Sequence, residues 1–173
     1  MSLLPEDMRP VVRHQAGERT IDIAREAYAG SGIDVELLPF IEDMASMYSW
    51  ADLVVCRAGA LTVAELCAVG LPALLVPYPH AVDDHQTANA RSIDDHDAGW
   101  LIPQDGFTPE SLSIRLEGFV NLPNTLVKAA TAAKALGGRD AADAVADRVE
   151  QLSGARPNGG ARPATDPVRE IAA

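Results

Sequence analysis

A chain of 173 residues, 47% hydrophobic and 23% charged, has the size and composition of one globular domain with a sizeable core, and is too short for two complete ones. Asp and Glu number 25 against 14 Lys and Arg, so a formal net charge of −11 repels nucleic-acid phosphates and anionic lipid head groups. An anionic ligand must then be held by backbone donors and local dipoles, which directs the search to helix N-termini.

The opening "MSLLPEDMRP" has no basic leader, and no stretch reaches about 18 uninterrupted apolar residues, so a cytoplasmic chain with no transmembrane segment is expected. "PVVRHQAGE" (10–18) reads as a short strand running into a turn, followed by a helix from about Arg19 to Ala29. "GIDVELLPF" (32–40) is a second strand; "IEDMASMYSWA" (41–51) sets Met44, Met47, Tyr48 and Ala51 at helical spacing. "DLVVC" (52–56) is a buried strand, "TVAELCAVG" (62–70) a compact helix stopped by Gly70, and "LPALLVPYP" (71–79) a strand with prolines at both ends. A helix from about Asp84 to His96 leads to a last strand, "GWLIP" (99–103).

Three consecutive helices are expected next, over 108–120, 124–136 and 139–152, with Thr108 and Asn124 as N-caps and Pro109 at the first helical position. From Ser153 the chain is rich in Gly, Pro, Ala and Arg, the composition of a disordered tail over 153–173. The alternation of strands and helices predicts an α/β fold: a parallel sheet flanked by helices, with right-handed crossovers and ligands bound at the carboxyl ends of the strands. A doubly wound domain ordinarily opens with a strand and a ligand-binding first loop. Only "MSLLPEDM" precedes the strand here, so the domain, expected over 1–152, reads as lacking its first strand and Gly-rich loop.

The motif that points to chemistry is "RAGALTVAE". A buried strand ends in a glycine turn, Gly59 admits close approach to the backbone, and the amides of residues 61–63 open a neutral helix that seats a diphosphate without a cation. Glu65, one turn in, is placed to accept from a vicinal diol such as a ribose; the alternative is an ordinary βα turn with Glu65 solvated. "PHAVDDHQTANA" (79–90) sets Gln86 and Asn89 on one helix face, suited to sugar hydroxyls; the alternative is a solvated loop with an Asp N-cap. His80, Asp83, Asp84 and His85 are candidate metal ligands there, but their order matches no standard ligand spacing, so no metal is expected. At "FIEDM" (40–44) backbone groups of Ile41 are placed to read a base edge and Met44 to pack on its face, unless both are core. Cys56 and Cys67 lack CxxC spacing and read as buried reduced thiols. No GxGxxG after a strand, no Walker loop and no GxSxG elbow occurs, which removes dehydrogenase, P-loop and hydrolase readings.

Taken together, "FIEDMASMYSWADLVVCRAGALTVAELCAVGLPALLVPYPHAVDDHQTANA" resembles the C-terminal domain of the MurG family of N-acetylglucosaminyltransferases, over about residues 9–152 and most specifically over 40–90. The resemblance implies a GT-B fold, of which this would be the Rossmann-like half that binds UDP-N-acetylglucosamine, with no cofactor beyond that substrate. It implies Ile41 at the uracil through its backbone with Met44 close by, and Ala60, Leu61, Thr62, Val63 and Ala64 along the nucleotide and diphosphate. It further implies Glu65 on the ribose hydroxyls and Gln86 on the sugar, with His85 and Asn89 supporting that loop. Family members carry serine where this chain has Ala58, which removes one hydroxyl contact. The family reaction, inverting transfer to a lipid-linked muramyl-pentapeptide in peptidoglycan synthesis on the cytoplasmic face of the inner membrane, needs an acceptor domain that holds the lipid-linked substrate and the catalytic base. No catalytic residue is expected in this chain. The rival readings are a non-catalytic UDP-sugar-binding module acting with a separate acceptor chain, and a UDP-sugar epimerase.

Overall fold

The computed structural model describes residues 1–138, so the helix expected over 139–152, the domain end at 152 and the tail from 153 lie outside the described residues. Strands and helices alternate as β1 (Val12–Gln15), α1 (Ile21–Tyr28), β2 (Val35–Leu38), α2 (Met44–Trp50), β3 (Val54–Cys56), α3 (Ala60–Val69), β4 (Ala73–Leu75), α4 (His85–Asp94) and β5 (Trp100–Leu101). Helices α5 (Pro109–Asn121) and α6 (Asn124–Leu136) follow. The α/β class is as expected.

All strand pairs are parallel, but the expected single sheet is two: β1 pairs with β2, and β3, β4 and β5 form a second sheet in that order. No ladder joins β1 to β3. Burial follows: β4, paired on both sides, is buried at every residue, whereas β1 and β3 alternate between partly covered and exposed.

Side chains of β4 alternate between two apolar clusters, as strand geometry requires. Ala73 and Leu75 join Tyr48, Leu66, Cys67, Ala90, Ile93 and Ala133, from α2, α3, α4 and α6. Leu74 and Val76 join Leu4, Ile102, Leu116 and Phe119, so α5 and the N-terminal segment cover the other face. Both faces of the second sheet are therefore covered, as in α/β proteins generally.

Local chemistry sets the helix ends. Asp43 caps α2 by accepting the Ser46 N–H at 2.9 Å, and Thr108 and Ser111 form a reciprocal capping box on α5, with Pro109 in its first turn. Gly70 ends α3 at φ 76°, and the Gly70 and Leu71 N–H groups close back on the Cys67 and Leu66 carbonyls. Lys134 of α6 donates to the Ala68 carbonyl at 2.6 Å, in the same last turn. The N-cap of α6 is Pro123 rather than Asn124, because proline at φ −61°, ψ −24° is already in helical conformation and starts the turn one residue earlier. Both cysteines are free; burial pushes the Cys56 thiol up to about 11 and raises that of Cys67, so neither is a thiolate at neutral pH.

The sequence pattern missed the docking of the N-terminal segment. Leu4 is 2% exposed while its neighbour Leu3 is 56% exposed. Leu4→Ala is expected to cost about 2–5 kcal/mol, the range for a buried leucine truncation, and Leu3→Ala to stay within about 0.5 kcal/mol. Urea unfolding of the two variants measures both.

Candidate functional site

Within each sheet the strands run parallel, so the loops after β1, β2, β3 and β4 leave from carboxyl ends, where ligands of open α/β sheets bind. The turn after β3 leads directly into α3, whose N-cap is Gly59. The first intrahelical bond is made by the Val63 N–H to the Gly59 carbonyl at 2.9 Å, so the N–H groups of Ala60, Leu61 and Thr62 have no acceptor within the helix. No side chain caps this end and no acidic residue lies in its first turn. The helix begins two residues earlier than the expected 62, which places Ala60, Leu61 and Thr62 in the first turn itself. Leu61 is 80% exposed there.

Gly59 has an ordinary φ of −65°, and an added Cβ would meet Thr62 Oγ1 at 3.6 Å, a normal contact. Nothing in the fold itself demands glycine at this position.

Glu65 is exposed on the same helix, yet its carboxylate is not free to swing: the Tyr48 hydroxyl donates to Oε2 at 2.9 Å. Tyr48 is 9% exposed and belongs to the core beneath α2. Burial first, then the hydrogen bond to Glu65 and that carboxylate's charge, raise the phenol's pKa, so the hydroxyl remains a donor. Met44 opens α2 and packs against the same core, and Ile41 sits in the loop before it. The Ile41 N–H donates to Gln15 Oε1 at 3.1 Å, so a ligand that uses this amide displaces the Gln15 side chain.

The loop after β4 and the start of α4 are drawn onto the same turn. Asn89 donates through Nδ2 to the Ala58 carbonyl at 2.9 Å, and Gln86 Oε1 accepts the Tyr78 N–H at 2.9 Å, which leaves the Gln86 NH2 group as the donor for a ligand. His85 opens α4 and is exposed. Arg57 donates to the Val76 and Pro77 carbonyls, both at 3.1 Å, with its guanidinium over the Tyr78 ring. Among the described residues no group of three His, Cys, Asp or Glu is placed to hold a metal ion. A shallow cavity of about 230 Å³ lies beside Arg57, lined by Val55, Cys56, Val76, Gln104 and Phe107.

One expectation fails. Ala58 is fully buried in the core cluster, so the alanine there takes no hydroxyl away from a ligand; a side chain at 58 faces protein. Sequence reasoning also missed Gln15, Tyr48 and Arg57. Tyr48 left a trace: a tyrosine at a core position of a helix needs a partner for its hydroxyl.

Residues 3–145 match the family described as the glycosyltransferase family 28 C-terminal domain. The chain belongs to this family. Curated relatives agree: a UDP-N-acetylglucosamine–N-acetylmuramyl-(pentapeptide) pyrophosphoryl-undecaprenol N-acetylglucosamine transferase of Alkalilimnicola ehrlichii is 58% identical over 84% of the chain and 41% of its own length. The transferase of the same name from Aromatoleum aromaticum is 51% identical over 90% of the chain and 43% of its own length. The crystal structure of Acinetobacter baumannii MurG superposes with a TM-score of 0.76 at 37% identity, covering 87% of this chain and 45% of that one. The fold is thus the Rossmann-like C-terminal half of a GT-B glycosyltransferase. This family 28 chain spans about two fifths of the length of the curated relatives it matches.

The cap that starts α2 titrates. Hydrogen bonds from the Ser46 hydroxyl and N–H hold the Asp43 carboxyl below its ordinary value. A depressed carboxylate contributes stability that is present above the unfolded-state pKa and lost as pH falls through the folded value. Asp43→Asn keeps an acceptor but no titrating group. It is expected to be less stable at neutral pH and to show a shallower acid limb when unfolding is measured across pH.

Proposed function

We propose that this chain is the donor half of an inverting N-acetylglucosaminyltransferase that moves the sugar from UDP to the C4 hydroxyl of a lipid-linked muramyl-pentapeptide in peptidoglycan synthesis. The observation that carries the reading is an uncapped, charge-free helix N-terminus at Gly59–Thr62 followed by a carboxylate, Glu65, already held by a buried phenol. Unpaired N–H groups at a helix N-terminus suit a diphosphate, and an ionised carboxylate suits a vicinal diol. That combination matches a ribonucleoside diphosphate.

In this reading Ile41 and Met44 hold the uracil, Ala60, Leu61, Thr62, Val63 and Ala64 line the nucleotide and diphosphate, and Glu65 takes the ribose. Gln86 takes the sugar, with Asn89 fixing α4 to the turn through the Ala58 carbonyl and His85 at the head of that helix. When the glycosidic bond breaks, negative charge grows on the departing UDP, and the amides of the first turn of α3 face that charge without reorganising. The acceptor hydroxyl must lose a proton, and no residue of this site is assigned as its base. That base and the lipid-linked acceptor belong to a further domain, in keeping with relatives more than twice as long. The same larger protein supplies a strand between β1 and β3 and the Gly-rich loop that follows it. It works at the cytoplasmic membrane face as a peripheral protein; no described helix is long and apolar enough to cross a membrane. The relatives reported above are transferases by name, and nothing in the site favours the epimerase reading.

Calorimetric titration is expected to show saturable binding of UDP and UDP-N-acetylglucosamine. Glu65→Ala should weaken both about tenfold or more, as befits hydrogen bonds to a charged group. Gly59→Ala should leave the melting temperature within a few degrees of the parent, because its added methyl meets protein only at Thr62 Oγ1, at an ordinary 3.6 Å, yet weaken both ligands by crowding their approach to the first turn of α3. No binding to a folded chain would overturn the reading. In an assay with lipid-linked acceptor, the chain alone is expected to give no measurable transfer, and adding a separately expressed acceptor domain is the way to restore it.

A further inference from the structure

We propose that Tyr48 is a positioning residue for the donor ribose, acting through Glu65; this rests on the reading of Glu65 given above. The phenol donates to Oε2 at 2.9 Å from a ring that is itself core, so the anchor is fixed while the carboxylate it holds is exposed. An ionised carboxylate offers about four acceptor sites; Tyr48 occupies one, and the remainder serve two ribose hydroxyls. A long exposed side chain held free would lose rotamer freedom on binding, and one already held has less to lose.

Three further observations support a role beyond packing. The phenol remains protonated at working pH because burial and the Glu65 charge both oppose its ionisation, so it is a donor and the carboxylate is the acceptor. The helix that carries it is fixed at both ends: Asp43 caps its start, and the Arg13 guanidinium lies 4.2 Å from the centroid of the Trp50 ring at its end. Met44, assigned to the base, is four residues before Tyr48 on α2 and therefore on the same helix face. One short helix thus sets the base contact and the ribose contact relative to each other.

The test uses the full chain with UDP and 2′,3′-dideoxy-UDP. The parent is expected to bind UDP about tenfold or more tightly than the dideoxy nucleotide. Tyr48→Phe, which keeps the ring, should weaken UDP about three- to tenfold and the dideoxy nucleotide less than about twofold, so that discrimination narrows. In a Glu65→Ala background the same substitution should change UDP affinity by less than about twofold, since its effect passes through the carboxylate. Equal losses for both nucleotides, or an undiminished loss without Glu65, would make Tyr48 a packing residue only and overturn the proposal. A parent that binds both nucleotides equally, or neither, overturns the reading of Glu65 and the proposal with it. A parent that discriminates while Tyr48→Phe discriminates equally well overturns the proposal alone. Should Tyr48→Phe not fold, the Tyr48 Cζ resonance of the unsubstituted chain decides: it is expected to shift with UDP and to stay in place with the dideoxy nucleotide, and equal shifts would overturn the proposal.

Discussion

Strand β4 is the constraint on which the rest of the described structure depends. It is hydrogen-bonded on both edges and buried on both faces, and its alternating side chains belong to the two separate apolar clusters. Once Leu74 and Leu75 point in opposite directions, α3 and α4 must lie on one side and α5 on the other. The turn after β3 is then held at the level where β4 ends, and Arg57 fixes that level by bonding to the Val76 and Pro77 carbonyls.

From this base a series of single hydrogen bonds crosses the carboxyl edge: Gln15 to Ile41, Tyr48 to Glu65, Asn89 to Ala58, and Gln86 to Tyr78. Each contributes about 1 kcal/mol to stability, less than one buried leucine does. Their larger effect is on order. Three of them tie α2 to α3, α4 to the turn before α3, and α4 to the loop after β4, so Glu65, Gln86 and Asn89 are held before any ligand arrives, whereas the Gln15 bond occupies the Ile41 amide. Preorganisation of this kind lowers the entropy lost on binding.

Much of this was legible in the chain itself. The apolar runs located each strand of the described residues, and Gly70, Thr108 and Pro109 marked helix ends because only particular residues satisfy the backbone there. The turn at Gly59 and the carboxylate at 65 stood out by residue type alone. What escaped was everything that depends on two distant segments meeting. The Tyr48 hydroxyl and Glu65 are 17 residues apart, and Gln15 and Ile41 26, so no local pattern reports them. Leu4 precedes every predicted element, and its burial depends on Phe119 and Leu116 lying across from it. The split into two sheets is likewise a matter of which strands become neighbours, which side-chain periodicity does not encode.

Helix α3 is electrically lopsided. Its carboxyl-terminal pole, where carbonyl oxygens carry partial negative charge, receives the Lys134 ammonium at the Ala68 carbonyl, while its amino-terminal pole has no side-chain cap and no acidic residue in its first turn among the described residues. At about 1.5 Å per residue the two poles lie roughly 15 Å apart, beyond the Debye length of physiological salt. Lys134 therefore quiets the end that would repel a diphosphate without itself attracting one. In a chain of net charge −11, the positive pole of this helix is a small local reversal of sign, and its attraction acts only on an anion already close to the first turn.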